Sequence, residues 1–445
     1  MPAFCPGSRA RCSHVDLTCL WQSGLVTTSG SRSVLLCVCL CLCLPAGGAA
    51  QGVAAPPAAA TESAEPLTLA AALALARSRA PAVKAAGERA TAQGRAAEAT
   101  RAWRQPTLDV SIENLGPRDL QHDAFVWLTQ PLDIGARRST RIAAARATHE
   151  SLARAVDVHR QDLDAVVIET YIAMVRNREA MGLLAAHERA VEDVVALTRR
   201  RVAEGVAPEG DLRKLEAERA RIALAGARAE IALRQDALTL GMLTGEPALP
   251  LVDRVTPPPP LPIGMPDVEA AVERRPDVRA AVAHLAERRS AAALERALGG
   301  TAVALTGGYK RTEGFHTGTA GIAIDLPIGV RNKPALLRAE GDVTAATLEL
   351  EQARAAARAD IERALVAGRL LSEQAARVEH DLVQPAAVAQ RAARAAFREG
   401  TGDALALVDA DRVYLDTRRE ALDLQLDASA ASLRARLALG EDPLP

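Results

Sequence analysis

Two histidines, His122 and His316, stand 194 residues apart, each between two short stretches in which apolar and polar residues alternate. Neutral imidazole is a common ligand for borderline metal ions. Neither histidine has a second ligand at a fixed spacing, so each reads as a solvated loop residue, with metal binding as the alternative. All seven cysteines (Cys5, Cys12, Cys19, Cys37, Cys39, Cys41 and Cys43) precede Pro45, which leaves the rest of the chain without a thiol for a disulfide or a thiolate metal site. The sequence contains no HExxH, no glycine-rich phosphate loop after a strand and no GxSxG. No catalytic residue, cofactor or metal site is expected, and the chain does not read as an enzyme.

The composition points to scaffolding rather than chemistry. Aromatic residues make up 2% and hydrophobic residues 49%, dominated by Ala and Leu, a mixture that favours long helices packed through small side chains. The net charge of −1 offers no basic field to gather nucleic acid. Val34 to Leu44 is an unbroken apolar run behind Arg32, followed by Ala46, Gly47, Gly48, Ala49 and Ala50. This reads as a secretory signal over residues 1–50, cleaved near Ala50, with a buried helix as the alternative. Residues 1–30 are a long lead, which suggests a later translation start, and Leu40, Cys41 and Leu42 do not make a lipid-anchoring motif around Cys43. Residues 51–66 then form a linker. No later stretch of 18 residues is apolar enough to be a transmembrane helix, so strands would have to carry the chain into a membrane.

The elements that would position any site are written twice. Pro81–Ala86 recurs as Pro276–Ala281, Glu204–Gly205 as Glu399–Gly400, and Gly245–Glu246 as Gly440–Glu441, all at an offset of 195; Leu132, Ile134 and Gly135 recur at 194. The repeats span 67–250 and 267–442, joined by a Pro-rich linker at 251–266. Each reads helix, strand, turn, strand, very long helix, turn, helix. The strands are expected at Thr107–Glu113 and Phe125–Leu132, then at Ala302–Tyr309 and Gly321–Leu326. Leu108, Val110 and Ile112 alternate with Asp109, Ser111 and Glu113, which fits either a membrane barrel or a soluble half-buried hairpin. From Arg137 to Arg201 there is no proline, and Leu163, Val167, Tyr171 and Met174 share one helical face. Leu415, Leu422, Leu426, Leu433 and Leu437 form a coiled-coil seam whose first-repeat counterparts are Ala220, Ala227, Ile231, Leu238 and Met242. Four strands are too few to close a barrel in lipid, so several copies must share one.

The order and duplication of Leu69–Pro81, Gln130–Arg138 (QPLDIGARR), Asp325–Pro334 (DLPIGVRNKP) and two Gly-containing helix turns resemble the TolC family of outer-membrane efflux proteins, from Leu67 to Asp442. The resemblance implies a mainly α fold with a small β part: a homotrimer whose twelve-stranded β-barrel sits in outer-membrane lipid and continues as an α-helical barrel into the periplasm. It also implies two protein partners, a periplasmic adaptor (membrane fusion protein) and an inner-membrane RND transporter. QPLDIGARR behind Glu113–Gly116 is most similar to the outer-membrane subunits of cobalt, zinc and cadmium efflux systems.

By the same resemblance, Gly205, Val206, Gly400 and Thr401 are expected to meet the adaptor at the helix tips, although glycine at a helix end needs no such role. Carboxylates past these glycines would close the periplasmic entrance. Asp409 and, in the first repeat, Asp211 match, Ala406 departs from the pattern, and Asp403 is either its substitute or a solvated helix residue. Arg137 and Arg331 are expected to anchor an interface or contact a helix start. Alternatives are a type I protein-secretion duct of the same fold, a soluble coiled-coil scaffold or an adaptor-like protein.

Overall fold

The computed structural model describes residues 67–113, 115–116, 122–245, 266–326, 328–329 and 331–444. The signal at 1–50, the segment 51–66 and all but the last residue of the 251–266 linker lie outside the described residues. Two runs of the same elements follow each other. The first is α1 (Leu69–Arg79), α2 (Pro81–Ala99), β1 (Thr107–Glu113), β2 (Asp123–Leu132), α3 (Arg137–Ala203) and α4 (Glu209–Thr244). The second is α5 (Val268–Arg274), α6 (Pro276–Leu298), β3 (Ala302–Thr312), β4 (Phe315–Asp325), α7 (Lys333–Val378), α8 (Gln384–Arg398) and α9 (Ala404–Ala438).

Local chemistry sets the boundaries. Thr68 caps α1 by accepting a hydrogen bond from the Ala71 N–H, and Asp267 caps α5 by accepting from the Glu269 and Ala270 N–H groups. Pro81 and Pro276 occupy first-turn positions of α2 and α6, where a missing N–H costs nothing. With 67 residues, α3 is about 100 Å long at 1.5 Å per residue. Its expected face is buried: Val167, Tyr171 and Met174 are fully covered and Leu163 packs beside them.

The second long helix is not continuous. Between α7 and α8, Glu379–Val383 forms one wide π-turn. Pro385 explains it: its nitrogen cannot donate and its ring would clash with the carbonyl four residues back, so the ladder widens ahead of it.

The strands form one antiparallel sheet in the order β1-β2-β3-β4, leaving β1 and β4 as open edges. The register puts most aliphatic side chains on one face, which also carries Gln130 and Arg311, while Phe125 and Trp127 lie on the other. Leu108, Val110 and Ile112 lie level with Leu128, Val126 and Ala124; the same face continues through Leu305 and Val303 to Ile322 and Ile324. The opposite face carries Asp109, Ser111, Glu113, Thr129, Thr306 and Lys310. There Trp127 lies over Gly308, where a Cβ would sit 2.4 Å from the indole, so only glycine leaves the ring room.

The second hairpin is longer than expected. Glu313 and Gly314 turn it with φ of +49° and +86°, a two-residue geometry whose twist matches the strands. β3 and β4 therefore run on to Thr312 and from Phe315. His316 is thus not a loop residue but a β4 residue opposite Arg311, in hydrogen-bond contact with the Tyr309 hydroxyl; His122 alone stays outside the strands, exposed.

The helices form a single layer beneath the sheet. α3 packs against α2, α4, α6 and α9, and α9 and α6 pack against α7. The layer therefore ends at α2 and α4 on one side and at α7 and α8 on the other. The α9 seam is internal, with Leu415, Leu426, Leu433 and Leu437 buried. Its first-repeat counterpart is not a seam within the chain: Ala220, Ala227, Ile231, Leu238 and Met242 are all exposed, because α4 has no helix on its outer side. Leu224, Ile231, Leu238 and Met242 share one face of α4, and Leu337, Leu348, Val366 and Leu370 share one face of α7, all exposed at the two margins.

Candidate functional site

The far end of the helix layer holds two tips built alike. At the first, Gly205 adopts φ of +74° and the Val206 N–H donates to the Arg201 carbonyl at 2.8 Å; at the second, Gly400 adopts φ of +77° and the Thr401 N–H donates to the Ala396 carbonyl at 3.0 Å. Both close the helix with a left-handed residue that only glycine takes without strain. Val206 is 72% exposed and Thr401 is exposed too, its hydroxyl donating to the Ala396 carbonyl. An apolar side chain this open at a turn is available to a partner.

Sequence reasoning missed what binds one tip to the other. The Arg201 guanidinium lies 4.7 Å from the centroid of the buried Phe397 ring, joining the end of α3 to the end of α8. Spacing alone gave no sign of it, since the partners are far apart in the chain. Behind the tips, Glu216 on α4 accepts from Arg199 on α3 at 2.9 Å and from Arg213 at 3.0 Å. These two hydrogen bonds, the Arg199 one foremost, hold its carboxyl below the usual range. Apolar contacts among Leu184, Val191, Val195, Leu212, Leu215, Leu407 and Val408 complete the tip region.

The three candidate carboxylates sit separately. Asp211 lies in the first turn of α4, where the helix dipole favours it, and pairs with Lys214 at 3.5 Å. Asp403 takes the cap position of α9 in extended backbone without a side-chain capping bond, and is exposed. Asp409 is exposed on α9 and pairs with Arg412 at 2.6 Å. Among the described residues, no hydrogen bond or ion pair links these three within one chain.

The arginines behind the strands have distinct roles. Arg137 donates to the carbonyls of Leu298 and Gly300, so the start of α3 is tied to the end of α6. Arg331 lies in the turn before α7 at φ of +46°, and its carbonyl crowds Gly299, where a Cβ would sit 2.7 Å away. Farther down, Arg77 clasps Asp164 at 2.7 Å and Asp442 at 3.2 Å, which ties both ends of the duplicated chain to α3. The Asp164 hydrogen bond is the main cause that raises its pKa.

Twin glycine tips, a hairpin pair with most of its aliphatic side chains on one face, and a layer of very long helices coincide with a family match. The model of the outer membrane efflux protein family fits residues 72–244 and again 268–441. The chain belongs to this family.

Its members are channel proteins, and their place is the outer membrane. Among curated relatives, the cobalt-zinc-cadmium resistance protein CzcC of Cupriavidus metallidurans is 26% identical over 381 residues, 80% of this chain and 86% of the relative. The fold is that of the outer-membrane channel OprN, with a TM-score of 0.73 at 18% identity, covering 85% of this chain and 91% of OprN. It is also that of CusC, with a TM-score of 0.70 at 19% identity over 84% of this chain and 92% of CusC. The efflux protein is thus mainly helical, internally duplicated, and carries a four-stranded contribution to a barrel.

Proposed function

We propose that three copies of this efflux protein close one barrel and one helical tube, and that the tube is the exit duct of a pump exporting divalent metal cations. The observation that carries this reading is the layer with two unfinished margins. Its sheet has open edges at β1 and β4, and apolar stripes line the outer sides of α4 and α7. A head-to-tail contact, β4 to β1 and α7 to α4, covers both at once and closes by rotation. The mainly aliphatic sheet face then meets lipid and the opposite face lines the pore. Metal cargo is supported by the likeness to CzcC.

The tips at Gly205–Val206 and Gly400–Thr401 are the proposed docking points for a periplasmic adaptor, through which an inner-membrane RND transporter is joined. Replacing Val206 and Thr401 by glutamate is expected to abolish adaptor cross-linking and lower cobalt, zinc and cadmium tolerance to that of cells lacking the chain, while trimers still reach the outer membrane. Undiminished cross-linking would end the assignment.

Asp409, with Asp211 and Asp403 as further candidates, is proposed to form a carboxylate ring at the periplasmic entrance. Three copies of Asp409 brought together attract cations that one copy holds weakly. Asp409→Asn is expected to weaken block by multivalent cations roughly fivefold in bilayer conductance, from about 1 kcal/mol of lost attraction at short range in water. An unchanged blocking concentration would remove Asp409 from the gate.

A further inference from the structure

His187 lies on α3 about 24 Å above the tip, by its distance in residues from Ala203. It is 6% exposed. It borders a cavity of about 380 Å³ whose other walls include Gln390 and Arg394 of α8 and Tyr414, Leu415 and Arg418 of α9. Its Nε2 is buried and has no hydrogen-bond partner. The same holds for Oδ2 of Asp411, a residue 1% exposed on α9, whose Oδ1 accepts from Arg394 at 3.1 Å. Buried polar atoms without partners are rare because each forfeits its hydration. Here two of them sit in the contact between α3 and the α8–α9 hairpin.

The charges around the imidazole are matched. Asp411 and Asp416 from α9 and Glu218 from α4 face it as carboxylates, Arg221 from α4 as a cation, and Arg394 and Arg418 share the cavity wall. Glu218 is engaged by Arg221, Asp411 by Arg394, and Arg418 by Glu379; nearby on α9, Arg412 is held by Asp409. A proton added to His187 therefore meets Glu218 already engaged by Arg221 and Asp411 engaged on one oxygen by Arg394, on a ring that is itself almost wholly buried. Burial holds the His187 pKa below its usual value of 6.5, and Asp411 and Glu218 offset this only in part.

We propose that His187 is a proton-operated latch: uncharged, it keeps the contact between α3 and the α8–α9 hairpin closed, and protonated, it loosens the hairpin. The sign follows from linkage. A histidine whose pKa is lowered in the closed state favours closure fully above pH 6.5, and this contribution is lost as pH falls from there through the lowered value. Loosening is thus an acid response, and it concerns the packing of the chain itself, whatever passes through the assembly.

Hydrogen exchange by mass spectrometry on the full assembly in detergent, corrected for the intrinsic pH dependence of amide exchange, tests the latch. Peptides 183–191 and 407–418 are expected to exchange about tenfold faster at pH 5.5 than at pH 7.5, the factor that one unit of linked protonation carries. Peptide 167–175 should not change. His187→Gln and His187→Asn, which keep hydrogen-bonding groups but take no proton, should flatten the profile. Equal acceleration in the wild type and both variants, or none in the wild type, would overturn the proposal. A histidine titration by NMR on the wild type, which needs no variant, overturns it if the His187 midpoint is 6.5 or higher. Recorded beside these, planar-bilayer conductance tells the two readings apart: the exchange profile without any channel leaves the latch and refutes the duct.

Discussion

Ile231→Glu combined with Leu238→Glu is expected to leave the purified protein monomeric. Both side chains are more than half exposed on the outer face of α4, so neither change removes a contact that folds the chain. In a ring, the same face meets the neighbouring α7. Burying an aliphatic side chain there contributes about 1.5–3 kcal/mol, and two glutamates would add unpaired charge to that contact. Losing roughly 5 kcal/mol per contact weakens association by more than about a thousandfold. Light scattering in detergent should give the single-chain mass, with a circular dichroism spectrum unaltered in helix content. A trimer of normal mass would show that α4 is not the margin where copies meet.

Tyr171→Ala should be the most damaging single substitution in the helix layer. Tyr171 is fully buried on α3 among Leu73, Met174, Leu240 and Leu433, and its hydroxyl donates to the Leu67 carbonyl at 2.7 Å. Truncating a large buried ring costs about 3–5 kcal/mol. Removing only the hydroxyl, as in Tyr171→Phe, should cost about 1 kcal/mol. Chemical denaturation of the detergent-solubilised protein would separate the two. Equal losses would mean that the hydrogen bond to Leu67, and not the packing, holds the start of the chain in place.

The parts of this protein that periodicity governs could be read before any coordinates. The α3 face through Val167, Tyr171 and Met174, the alternation of β1 and the glycines at both tips follow from local rules of spacing and backbone freedom. Context decided the rest. Ile231 and Leu238 have the same spacing as the α9 leucines, and only the layer order shows that one stripe is internal and the other is a margin. The turn at Glu313–Gly314 was concealed because glutamate is an uncommon residue at positive φ, so the strand ends and His316 were misplaced. The Arg201–Phe397 contact and the Arg77 clasp join residues remote in sequence, which no pattern of one chain's residues encodes. Of the candidate carboxylates, sequence gave positions on the helices but not their ion-pairing, which depends on which side chain happens to stand one turn away.

The widened turn at Glu379–Val383 makes the duplicated halves unequal. The first repeat supplies an uninterrupted rod of 67 residues, whereas the second supplies a jointed one, split by Pro385 into pieces of 46 and 15 residues. In the proposed tube, unbroken and jointed staves would alternate, so a sequence copied once yields two kinds of wall element.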